Sequence, residues 1–152
     1  MLKVGDTAPA FTLESDSAGT ISSATLAGKR YVIYFYPKDD TSGCAKEACS
    51  FRDRLPDFGK LGVPVFGVSP DDAKAHAKFV KKYALNFPLL VDPDKQLLQA
   101  YGVWAEKSMY GRTYMGVLRA TFIVGADGRI EKVWPKVKPE GHADEVLAAL
   151  NG

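Results

Sequence analysis

The sequence predicts an α/β fold, a mostly parallel core sheet with helices on both faces. Two apolar runs, Tyr31 to Tyr36 and Val63 to Val68, lack polar alternation and read as strands buried on both faces. Helix-patterned segments alternate with such runs, and a hairpin and a last helix follow. The 152 residues are 46% hydrophobic and 25% charged, which suits one globular domain spanning 1–152. A chain of this size buries roughly 68–70% of its unfolded surface, enough for a core without staples.

Near the start, Phe11 to Leu13 and Thr20 to Ile21 flank a turn around residues 16–19. The buried strand Tyr31 to Tyr36 is closed by Pro37. After Val63 to Val68 comes Ser69-Pro70-Asp71-Asp72, in which Ser69 suits a helix cap and Pro70 the first helical position. The two aspartates complement the positive end of that helix. It carries Phe79, Val80 and Tyr83 inward and finishes near Lys81 and Lys82. Phe87 to Val91 reads as a strand and Asp94 to Tyr101 as a helix. Ala120 to Val124 and Ile130 to Trp134 flank Gly125-Ala126-Asp127-Gly128, a hairpin with an Asp-Gly turn. Glu140 to Leu150 closes the chain as an amphipathic helix.

Twenty Lys and Arg against eighteen Asp and Glu leave a net charge of +2, which points to no nucleic-acid, membrane or acidic partner. No apolar run approaches a membrane span, and the first residues show no basic-then-apolar leader, so a cytoplasmic address is expected. His76 and His142 have no Cys or carboxylate cluster at ligand spacing, so no metal site is expected.

That leaves Cys44 and Cys49 as the chemistry-bearing residues. Cys44 follows the end of the buried strand, where reacting groups collect in open α/β sheets. Thr41 and Ser42 are plausible caps for the helix-prone stretch from Ala45 to Arg52, which puts Cys44 in a first helical turn. Unpaired N–H groups there favour an anion, and a thiolate is the form that attacks a peroxide O–O bond. Cys49 lies five residues on. On one continuous helix that separation means about 7.5 Å of rise and ~140° of rotation. The Cα atoms would stand ~8–9 Å apart, beyond the reach of a disulfide, so any bridge demands local unwinding. The same spacing argues against a thioredoxin-type Cys-x-x-Cys reductant. On spacing alone, Cys49 fits an apolar helix position as well as a functional one.

Pro37, Thr41 and Cys44 reproduce the spacing Pro-x-x-x-Thr-x-x-Cys. The string from Tyr34 to Asp53, YFYPKDDTSGCAKEACSFRD, resembles the peroxiredoxins, in particular the bacterioferritin comigratory protein or peroxiredoxin Q branch. Gly5 to Phe11, Tyr101 to Trp104, Met109 to Gly111 and Arg119 to Phe122 extend the resemblance over nearly the whole chain. It implies a thioredoxin-like fold: a central mixed sheet flanked by helices, with an N-terminal β extension. It also implies a thiol peroxidase that reduces hydrogen peroxide and organic hydroperoxides, and we expect it to work as a monomer without cofactor. On that pattern Cys44 is the peroxidatic cysteine and Cys49 the resolving one, joined in an intramolecular disulfide that a thioredoxin-like reductant opens. Thr41 would hydrogen-bond the thiolate and peroxide, and Pro37 would shield the pocket. Arg119 would supply the cation and Glu47 would hold that arginine. Spacing alone does not bring Arg119 to the sulfur, and Glu47, three residues after Cys44, could by itself be a solvated helix carboxylate.

Two residues depart from the family pattern: Ser42 stands where proline is usual and Ala45 where threonine is usual. Neither position carries the chemistry. Three further readings compete: a general thiol–disulfide oxidoreductase, a redox-sensing binding protein that uses the same pair, and a purely structural domain.

Overall fold

The computed structural model describes residues 1–16 and 18–152. Its first elements are β1 (Thr12–Glu14) and β2 (Thr20–Ser22), an antiparallel pair that forms the expected N-terminal β extension. The turn expected at 16–19 includes residue 17, which lies outside the described residues. A 3-10 turn, Ser23–Leu26, leads to β3 (Tyr31–Phe35). Then follow α1 (Ser42–Lys60), β4 (Val65–Ser69), α2 (Ala73–Tyr83), β5 (Leu89–Val91) and α3 (Gln96–Ala100). The chain continues through β6 (Trp104–Met109), β7 (Arg112–Val117), β8 (Ala120–Val124) and β9 (Ile130–Trp134) to α4 (His142–Asn151).

The core is a five-stranded sheet in the order β5-β4-β3-β8-β9. β3 pairs parallel with β4, and β4 parallel with β5, while β3–β8 and β8–β9 are antiparallel. The sheet is therefore mixed, less parallel than strand–helix alternation alone suggested, because β8 enters beside β3 from the opposite direction. Every residue of β3, β4 and β8 is buried, as the unalternated runs required. Side chains alternate between two apolar layers. Val32 and Tyr34 face the layer built with Phe51 and Phe58 of α1, Phe79 of α2 and Val146 of α4. Tyr31, Ile33 and Phe35 face Leu97 and Leu98 of α3, with Tyr101, Val117 and Phe122. Phe51 stacks on Tyr34 at 4.7 Å between ring centroids, fixing α1 over the middle of the sheet.

Helix α1 runs through Pro56, which has no N–H for the Arg52 carbonyl one turn back. The Asn86 side-chain amide donates to that carbonyl instead, at 3.2 Å, and the helix continues.

Several element boundaries differ from the sequence expectation. The cap of α2 is Asp72, whose carboxylate accepts from the Ala75 N–H at 2.8 Å. Ser69 instead ends β4, and its hydroxyl donates to Asp71 at 2.7 Å. Ser69, Asp71 and Asp72 are all capping-type residues, and the one that directly precedes Ala73 takes the role. The β6–β7 hairpin was not anticipated. Its strands are largely exposed, Met109, Tyr114 and Met115 included, and its two-residue turn, Tyr110-Gly111, adopts positive φ (52° and 76°) with tyrosine where Asn or Asp is usual. No helix of the described residues is long and apolar enough to cross a membrane.

Candidate active site

The site forms where β3 gives way to α1. Thr41 is the extended residue before the helix (φ −87°, ψ 156°), so Ser42, Gly43 and Cys44 occupy its first turn. Thr41 makes no side-chain cap. Its exposed hydroxyl donates to the Lys38 carbonyl at 2.9 Å, so the bond expected from it to the sulfur is not the one it makes here. Pro37 is half-buried on the loop that leaves β3. Cys44 is only 1% exposed, packed in the apolar layer with Tyr34, Tyr36 and Ala48.

Arg119 reaches this sulfur although 75 residues separate them in sequence. The reason is register: antiparallel β3 and β8 pair Phe35 with Ala120, so the residue before β8 lies beside the residues that follow β3. Its Nη2 donates to Cys44 Sγ at 3.2 Å, and its Nη1 donates to Glu47 Oε1 at 2.8 Å. Glu47 and Cys44 are three apart on α1 and share a face, so one guanidinium bridges both. Gly43 makes room for it, since a Cβ there would stand 3.1 Å from Arg119 Nη2.

The charges in this cluster are unevenly solvated. Burial raises the Glu47 carboxyl from 4.5 to about 7, with Arg119 pulling it partly back. Its second oxygen, Oε2, is buried with no hydrogen-bond partner. Burial opposes the charge on Arg119, but Glu47 and Cys44 outweigh it and hold the guanidinium above its usual range. A cation 3.2 Å from the sulfur stabilises negative charge on it, as sulfur or as a developing oxyanion.

Cys49 is half-buried further along the same helix, and both cysteines are free. Because α1 is continuous from Ser42 to Lys60, the pair sits five residues apart on intact helix, the arrangement that forbids a direct bridge. A cavity of about 630 Å³ opens at Cys49, lined also by Lys46, Arg54, Glu140 and Asp144. Another of about 530 Å³ lies at Ser42, Gly43 and Lys46, against Lys138 and Pro139.

Sequence reasoning missed a second polar cluster behind the loop. The Tyr36 hydroxyl donates to Asp39 Oδ1 at 2.6 Å, and His76 Nδ1 lies 2.6 Å from Asp39 Oδ2. His76 Nε2 lies 2.8 Å from the Leu90 carbonyl, which can only accept, so this nitrogen carries a proton. Burial disfavours a charged ring, yet the bond to Asp39 outweighs it and the His76 pKa is raised. The expectation that no carboxylate cluster surrounds a histidine is thus corrected: Asp39 and Asp71 both come within 4.8 Å of His76. Asp71 is only 5 residues from His76, but Asp39 is 37 away in sequence, and no local spacing reveals it. Direct hydrogen bonds join the cluster: Asp39 to His76, and Asp71 to the Ser69 hydroxyl and the Asp39 backbone N–H. His142, the first residue of α4, bonds to the Thr121 hydroxyl at 2.8 Å, and burial lowers its pKa.

Comparison with known proteins agrees with this geometry. Residues 4–133 match the AhpC/TSA family. A curated relative from Coxiella burnetii, named a putative peroxiredoxin bcp, is 48% identical over 149 residues, covering 98% of this chain and 99% of the relative. The peroxiredoxin Bcp of Bacillus subtilis is 43% identical over 149 residues, covering 98% and 95%. Among solved structures, the bacterioferritin comigratory protein of Xanthomonas campestris superposes with a TM-score of 0.88 at 42% identity, covering 93% and 90%. A cysteine-to-serine variant of Xylella fastidiosa PrxQ gives 0.93 at 36% identity, covering 99% and 96%. The fold is the thioredoxin-like one of the peroxiredoxins, and the chain belongs to the AhpC/TSA family. Within that family the relatives it resembles over nearly their full length are the Bcp and peroxiredoxin Q proteins.

Proposed function

We propose that this protein is a thiol peroxidase reducing hydrogen peroxide and organic hydroperoxides, with Cys44 as the attacking residue. The observation that carries the reading is Arg119, whose guanidinium bridges Cys44 Sγ and Glu47. The Cys44 thiolate attacks one peroxide oxygen, the O–O bond breaks, and the leaving oxygen takes a proton to depart as water or an alcohol. Cys44 is then a sulfenic acid. The Cys49 thiol attacks its sulfur, water leaves, and a disulfide joins the two residues. A dithiol reductant of the thioredoxin type returns both to thiols by exchange.

Arg119 stabilises the charge that moves from sulfur to the leaving oxygen, and Glu47 aims Arg119. Thr41 turns its hydroxyl from the Lys38 carbonyl toward the bound peroxide, and Pro37 keeps water from that side. Because α1 is continuous in the dithiol form, resolution requires its first turns to open, which couples chemistry to helix melting. Organic substrates fit the relative from Xanthomonas campestris, which is described as having alkyl peroxide reduction activity. We take the protein to work as a cytoplasmic monomer built as one domain.

The test is peroxide consumption with a thioredoxin system. Cys44→Ser should abolish it, and Cys49→Ser should permit one oxidation and then stall. Full activity in Cys44→Ser would end the proposal, and efficient reduction of protein disulfides instead of peroxide would favour the oxidoreductase alternative.

A further inference from the structure

The loop from Pro37 to Thr41 carries the chain from β3 into the helix turn that holds Cys44, and two consecutive residues tie it to α2. Asp39 is the buried tie. Its carboxylate receives the Tyr36 hydroxyl and faces His76 Nδ1, each at 2.6 Å. Its backbone N–H donates to Asp71 Oδ2 at 2.8 Å, and that carboxylate is itself fixed by Ser69. His76 is anchored from behind by the Leu90 carbonyl of β5. Asp40 is the exposed tie, held at φ 59° with its carboxylate on Lys82 Nζ at 2.8 Å and the Tyr83 hydroxyl at 2.9 Å. Asp40 and Lys82 are both exposed, where such pairs are worth little. His76 is completely buried, so the firm attachment is the inner one.

We propose that His76 is a positioning residue for the peroxide reaction: through Asp39 it holds the pre-helix loop so that Cys44 meets Arg119, and it confines redox-linked unwinding to the chain beyond Asp40. The inference rests on Cys44 being the peroxide-reactive residue. The physical reason is leverage. Asp39 is five residues before Cys44, and nothing between them is packed as deeply, Thr41 and Ser42 both being exposed. If the ring lets go of Asp39, the loop gains freedom, and the sulfur loses its set position against the guanidinium. A misplacement of about 1 Å in a reacting group costs on the order of 100-fold in rate.

Two substitutions separate the ring's two bonds. Asparagine at 76 can place an amide N–H where Nδ1 stands and so keeps Asp39, while glutamine can reach the Leu90 carbonyl and forfeits Asp39. The experiment measures, for wild type, His76→Asn, His76→Gln and Asp39→Ala, the single-turnover rate of Cys44 oxidation by hydrogen peroxide and the later rate of disulfide formation. A core truncation on the other face of the sheet, Leu98→Ala, serves as a stability control. His76→Gln and Asp39→Ala should slow the first step roughly 10- to 100-fold without slowing the second. His76→Asn should stay within about threefold of wild type, and Leu98→Ala should leave the first step unchanged; the first step thus reads position and the control reads stability. His76→Gln reacting at the wild-type rate overturns the proposal, and so does equal slowing by Leu98→Ala or by His76→Asn. Wild-type protein that ignores peroxide would instead remove the peroxidase reading, and this proposal with it.

Discussion

Glu47 can be tested through stability as well as chemistry. One oxygen of its carboxyl accepts from Arg119, the other is buried without a partner, and burial raises the pKa from 4.5 to about 7. Between those values the folded protein holds a proton that the unfolded chain has released. Stability must therefore fall as pH rises through that window, the reverse of an acid whose pKa folding depresses. The full loss is worth about 3 kcal/mol, and it is complete only above the raised value. Glu47→Gln removes the titration while keeping an acceptor for Arg119 and offering an N–H where Oε2 stands alone. Urea unfolding of both reduced proteins should be followed in steps from pH 5 to pH 8. His76 and His142 titrate in both proteins and cancel in the difference. Wild type should lose about 2.5 kcal/mol relative to the variant across this range. Parallel stability curves would refute the reasoning, because they would mean that the carboxyl is ionised throughout.

Arg119→Met should slow Cys44 oxidation by roughly 100- to 1,000-fold, since it removes the donor aimed at the reacting sulfur; stopped-flow peroxide kinetics reads this directly. Phe51→Ala should cost about 3–5 kcal/mol in urea unfolding, because this fully buried ring stacks on Tyr34 and touches Phe58, Phe87 and His142. Ser42→Pro should be neutral or should stabilise by up to about 1 kcal/mol: position 42 is the first of the helix, and Thr41 already has the extended conformation proline demands of its predecessor. Hydrogen exchange in residues 42–50 should rise on conversion to the disulfide and return on reduction.

What could be read from the sequence, and what could not, divides along chain distance. The buried strand from Tyr31, the β8–β9 hairpin and the entry of Cys44 into a helix all follow from patterns within a dozen residues, and the structure has them. Glu47 and Cys44 share a face for the same local reason. Arg119 does not: only the antiparallel register of β8 against β3 carries it to the sulfur, and no spacing rule contains that register. It was available from the family resemblance alone. Neither spacing nor resemblance singles out His76, which looks like an ordinary helix residue until Asp39 and Asp71 are folded against it. Gly43 was visible as a residue in the motif, but its use became clear only once the guanidinium occupied the space a Cβ would need. The β6–β7 hairpin escaped for another reason. Its strands lie mostly in solvent and lack the apolar alternation that marks a half-buried strand.

The proposed chemistry turns on a sulfur that reacts with peroxide from inside a helix and is then captured by a partner the intact helix keeps away. Intact mass and peptide mapping after one equivalent of hydrogen peroxide examine both halves at once. The expected product is a monomer lighter by two hydrogens, yielding a single Cys44–Cys49 linked peptide. Two untouched thiols, or Cys44 carrying added oxygen while Cys49 stays free, would contradict it.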